Sequence, residues 1–165
     1  MKEKKFEFDY KVYDSIDALP AEKKELLLKA REATSTAYAP YSNFHVGAVA
    51  RMNNGQFLNG SNQENASFPV GLCAERVLLA AASSLFPGIG IQSIVISYKS
   101  ENHSNDHPVS PCGICRQTLQ EYESRVQQPI ELILGGLSGP VYVIERASSL
   151  LPLAFTSEEL TANSQ

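Results

Sequence analysis

Residues 71–80 read GLCAERVLLA, an oily run that opens on a thiol and a carboxylate two positions apart. Val77, Leu78, Leu79 and Ala80 are what a buried helix needs. Packing gives no reason for Cys73 and Glu75. This helix is expected from about Cys73 to Leu85, and the fold is read outward from it.

Upstream, FHVGAVARM (Phe44–Met52) alternates as a strand, and NNG at Asn53–Gly55 turns it into a second strand, QFLNGSN (Gln56–Asn62). Before that hairpin, PAEKKELLLKAREATSTAY reads as a helix: Pro20 suits its first turn and Leu26, Leu27, Ala30 and Ala33 form a stripe. Downstream, IQSIVISY (Ile91–Tyr98) is a β-branched, buried strand, followed by the polar loop KSENHSNDHPVSP. A short helix, CGICRQTLQEYE, leads into PIELILGG and PVYVIER, two further strands, and SSLLPLAFTSEEL resembles one or two short helical turns. Interleaved elements in this order imply a three-layer α/β/α domain with a mixed sheet of about five strands. All 165 residues are expected in one domain, with residues 1–18 a strand or ordered arm and 161–165 a flexible tail.

Composition narrows the function. A net charge of −4 without a Lys/Arg block argues against nucleic acid or an anionic membrane surface as partner. No apolar run approaches the roughly 20 residues that span a bilayer, and MKEKKFEFDYKVYDS lacks a secretory apolar stretch, so a cytoplasmic location is expected. Three cysteines are an odd number, which fits a disulfide framework poorly and a reducing compartment well.

The other two cysteines lie in SPCGICRQ (110–117), where Cys112 and Cys115 share a helix face and Pro111 suits the helix start. Thiols near helix starts feel the positive end of the macrodipole, which favours the thiolate, the form that binds zinc. Cys73, Cys112 and Cys115 are therefore the candidate ligands of one Zn²⁺, and three ligands leave the fourth position to water, as catalytic zinc sites do. His103 and His107 sit among Asn, Ser, Asp and Pro and read as loop residues, while His45 reads as a strand histidine facing a neighbour or the core. Three thiolates on Zn²⁺ leave about one negative charge, which opposes deprotonation of a bound water. Arg76 and Arg116 could offset it through N–H···S contacts, and Arg76 is favoured for a place beside the sulfurs. Glu75 alone would be a carboxylate complementing the helix dipole. Beside the cysteines it becomes a proton carrier.

CAE followed about 35 residues later by PCGIC resembles the zinc-deaminase signature in its three-cysteine form. With YAPYSNFHVGA, GSNQENASFPVGLCAER, SPCGICRQ and LLPLAFTSEEL, residues 37–160 resemble the small homotetrameric cytidine deaminases that act on free nucleosides. That resemblance implies zinc-dependent hydrolytic deamination of cytidine and deoxycytidine to uridine and deoxyuridine, with release of ammonia, in pyrimidine salvage. It makes Glu75 the group that protonates N3 and then the leaving amine. The Ser110 carbonyl would receive the amino group and the Ala74 amide would bind the base carbonyl. Asn62 and Glu64 match the ribose pair; two apart in an extended segment, they point the same way. Phe44 matches the aromatic beside the base, and Phe155 the C-terminal aromatic that reaches a neighbouring subunit's site, so the resemblance implies a homotetramer. Phe68 stands where members of that family often carry tyrosine, which removes a hydroxyl contact across subunits.

Three other readings fit less of the chain. A thiol–disulfide protein would use C-x-x-C but leave Cys73 and Glu75 idle. A zinc-stabilised binding module would need a fourth protein ligand. A deaminase of polynucleotide cytosines would carry basic patches with interleaved aromatics, and one acting on a cytosine-bearing antibiotic fits CAERVLLAAAS less well than the nucleoside branch.

Overall fold

Alternation along the strands sorts apolar side chains onto two faces, and a helical layer covers each. The computed structural model describes residues 1–160; the expected tail, 161–165, lies outside the described residues. In chain order the elements are β1 (Lys11–Tyr13), α1 (Ala21–Ala33), β2 (Phe44–Met52), β3 (Phe57–Ser61), α2 (Ala74–Leu85), β4 (Ile91–Ser100), α3 (Gly113–Val126), β5 (Glu131–Gly135) and β6 (Val141–Ile144). They form one mixed sheet in the order β1-β6-β5-β4-β2-β3, in which β4 and β5 are parallel and the other pairs antiparallel. Among the described residues the sheet has six strands rather than about five, because part of the N-terminal arm pairs with β6 and covers what would otherwise be an open edge.

Val49, Val95, Ile133, Val141 and Val143 meet Leu26, Leu27, Ala30 and Ala33 of α1. The residues between them, among them Ala48, Ala50, Ile94, Ile96, Leu132 and Leu134, meet Leu78, Leu79 and Ala82 of α2 and Leu119 and Tyr122 of α3. Helix α1 stops at Ala33 rather than near Tyr38, and a 3-10 turn, Thr34–Thr36, follows. There the hydroxyls of Thr34, Ser35 and Thr36 donate back to the carbonyls of Arg31, Glu32 and Ala33, which competes with further α-helix.

Two close approaches set where the chemistry can sit. A Cβ on Gly60 would stand 2.6 Å from the Ala74 carbonyl oxygen and 2.8 Å from the Leu78 nitrogen, so only glycine lets the first turns of α2 lie on β3. At the far end of α3, the buried Glu123 carboxylate accepts the backbone N–H groups of Ile130, Ala147 and Ser148 at 2.7, 3.0 and 3.3 Å. That clamp ties α3 to the entrance of β5 and to the C-terminal segment.

Candidate active site

Helices α2 and α3 begin side by side. Cys73 is the N-cap of α2 and Cys112 the N-cap of α3, both in extended backbone, and Cys115 lies in the first turn of α3. The Cys73 and Cys112 sulfurs are 3.8 Å apart, those of Cys112 and Cys115 are 3.5 Å apart, and all three lie within 4.8 Å of one another. Sulfurs about 2.3 Å from one tetrahedral ion stand about 3.8 Å from each other, so the donor set fits zinc. Among the described residues this is the one group of three or more such ligands within reach of a single ion, and neither His103 nor His107 joins it.

The electrostatics agree with that fit. A hydrogen bond from Cys115 is the main influence holding the Cys73 thiol down to about 6, and Arg76 adds its charge in the same direction. The same pairing, then burial, then the Glu75 carboxylate push Cys115 up. Thiols this crowded compete for one negative charge, and a cation between them removes the competition. Glu75 is buried, and its burial raises the carboxyl above its ordinary range against donation from its own backbone N–H and from Cys115.

A cleft of about 570 Å³ opens in front of the sulfurs. Cys73, Ala74, Glu75 and Cys112 line it from the helix starts, with Phe44, Asn62, Glu64, Phe68 and Ser110 around them. Ala74 is the first residue of α2, so its N–H has no partner within the helix. The Asn62 carbonyl oxygen accepts the Val46 N–H at 2.7 Å, and its amide donates to the Phe44 carbonyl at 2.9 Å. Asn62 thus extends the pairing of β2 with its side chain and keeps one N–H for a ligand. One Glu64 oxygen accepts the N–H groups of Tyr41 and Ser42 at 2.9 and 3.4 Å. Burial opposes the Glu64 charge, and the hydrogen bonds from Ser42 and Tyr41 outweigh it, so that carboxyl lies below its usual range.

Not every expected residue reaches the cleft. Arg76 hydrogen-bonds the Gly71 carbonyl at 3.5 Å while its charge acts on Cys73. The hydrogen bonds of Arg116 go to the carbonyls of Pro111 at 2.8 Å and Leu150 at 3.0 Å; it braces the turn before Cys112 instead of meeting the sulfurs. Phe155 is 58% exposed, outside the cleft lining, with its carbonyl accepting from Gln117 at 2.8 Å. Phe68, 75% exposed, stands edge-on to Tyr41 at the cleft's mouth. Val46, Ile96 and Val109 line the apolar wall and were missed in the sequence; Val46 was within reach, since it shares a strand face with Phe44.

Residues 20–128 match the family described as the cytidine and deoxycytidylate deaminase zinc-binding region. The cytidine deaminase of Halalkalibacterium halodurans is 37% identical over 135 residues, which is 82% of this chain and 95% of that protein. That of Mycobacterium tuberculosis is 34% identical over 131 residues, 79% of this chain and 87% of its own. The crystal structure of a cytidine deaminase from Burkholderia pseudomallei superposes with a TM-score of 0.69 at 36% identity, covering 83% of this chain and 100% of that one.

Proposed function

The chain belongs to the zinc-binding cytidine and deoxycytidylate deaminase family, and we propose how its residues divide the hydrolysis of cytidine and deoxycytidine to uridine, or deoxyuridine, and ammonia. Cys73, Cys112 and Cys115 would hold a zinc ion, and that ion would supply a Lewis acid that makes water acidic near neutral pH. Glu75 takes a proton from water as the water oxygen adds to C4 of the pyrimidine and delivers it to N3; it then takes the second proton from that oxygen and passes it to the amine, which departs as the C4–N bond breaks. Its burial keeps competing water away and raises its proton affinity above that of an ordinary carboxylate.

Phe44 presents a flat apolar wall to the base. The Ser110 carbonyl can only accept, so it suits an exocyclic amino group; the Ala74 N–H can only donate, so it suits the base carbonyl. Asn62 and Glu64 bring one donor and one acceptor to a single sugar hydroxyl. Arg76 offsets the surplus charge of three thiolates on a divalent ion. Phe68 and Phe155 are large exposed aromatics, and in a homotetramer Phe155 would complete a neighbour's cleft. Three free thiols suit the cytoplasm, and the reaction suits pyrimidine salvage. Among the described residues no helix is long and apolar enough to cross a membrane.

The observation that carries this reading is a buried carboxylate two residues beyond one of three clustered sulfurs, at the floor of one cleft. It is tested with Glu75→Gln. The variant is expected to keep its zinc and thermal midpoint and to lose about 10³-fold or more in kcat on cytidine, the scale of a removed proton carrier. An active Glu75→Gln enzyme contradicts the assignment.

A further inference from the structure

Tyr98 plays no part in the account above. It is 1% exposed and stands behind the cleft rather than in its lining. Its ring stacks on Phe44 with centroids 5.0 Å apart and planes 14° from parallel. Its hydroxyl donates to the Ser104 carbonyl at 3.0 Å. His107 Nδ1 is 3.4 Å from the same hydroxyl and 3.1 Å from Asp106 Oδ1. A carboxylate only accepts, so that nitrogen carries the proton and is shared between the two oxygens. The His107 ring also meets the Tyr98 ring edge-on at 5.8 Å.

The segment that Tyr98 grips is the loop between β4 and α3, which ends at Ser110 and Cys112. The loop is held at a second point, where the Asn105 side chain accepts from the Ser100 N–H at 2.6 Å and donates to the Ser100 carbonyl at 2.9 Å. Ser138 N–H donates to the Asn105 carbonyl at 3.1 Å from the turn between β5 and β6. One side chain therefore touches both the aromatic wall and the loop bearing the carbonyl assigned to the amino group.

We propose that Tyr98 is a positioning residue for the pyrimidine: through its ring it fixes the plane of Phe44, and through its hydroxyl it ties that plane to the loop carrying Ser110. The proposal rests on Phe44 and Ser110 contacting the base as assigned above. Both contacts exist before and during the reaction, so weakening the tie loosens substrate binding more than it slows the chemistry.

The test uses Tyr98→Phe, which keeps the ring and removes the hydroxyl, together with His107→Ala and the double variant. Tyr98→Phe is expected to raise KM for cytidine about five-fold, the scale of one net hydrogen bond, with kcat within about two-fold. A purely structural loss would lower the amount of active enzyme, which reduces apparent kcat and leaves KM alone. His107→Ala is expected to raise KM in the same direction, and the double variant to be no worse than Tyr98→Phe, because both break one link. An unchanged KM in Tyr98→Phe, or effects that multiply in the double variant, overturns the proposal. Phe44→Leu separates the two levels. If it raises KM while Tyr98→Phe does not, the coupling is wrong and the base wall stands; if Phe44→Leu changes nothing, the base wall itself is wrong.

Discussion

The two faces of the sheet are made of similar side chains and serve different ends. On one, Val95, Ile133 and Val143 close against Leu27 and Ala30 of α1, and the layer is sealed. On the other, Ile94 and Leu132 pack as tightly against α2 and α3, but around Ile96 the wall turns into the cleft where both helices begin. There Cys115 and Glu75 stay buried while Cys73 and Cys112 open toward the cleft, and aliphatic groups give way to sulfur and a carboxylate. A sealed face contributes stability alone. A face whose helix starts stand open to a cleft contributes unpaired N–H groups, a dipole field and room for a ligand.

Substitutions can break that division. The largest effect is expected from Cys115→Ser, which removes a buried ligand: zinc content measured after purification should fall far below about one ion per chain, and deamination should fall with it. Leu27→Ala on the sealed face should cost about 2–5 kcal/mol in denaturant unfolding while the folded enzyme keeps its KM. If Leu27→Ala shifts KM, the two faces are coupled and the division fails. Asn62→Ala should produce the smallest effect, lowering kcat/KM on cytidine about ten-fold while leaving activity on free cytosine unchanged, since only the nucleoside offers a sugar hydroxyl. Equal losses on both would mean that Asn62 serves mainly to hold the backbone of β2.

The clustering of the candidate site was largely legible because it gathers residue types that packing does not require. Cys73, Glu75, Cys112 and Cys115 stand out from their neighbours, and Phe44–Met52 runs into a turn whose Gly55 takes a φ of 81°. What stayed hidden depends on distant partners. The sixth strand needs β6, more than a hundred residues away, as its partner. Arg116 lies beside a sulfur ligand in sequence, yet its guanidinium turns to Pro111 and to Leu150, a carbonyl the local sequence could not supply. Tyr98 looks like one more core residue of β4 until Phe44 is found on its face and His107 at its edge.

The central claim is tested most directly by X-ray absorption at the zinc edge of the purified protein. Three sulfur neighbours at about 2.3 Å and one light atom near 2.0 Å, without the outer-sphere pattern of an imidazole, are the result expected of a metal facing the cleft. Four protein ligands, whether the fourth is sulfur or a histidine nitrogen, would contradict it.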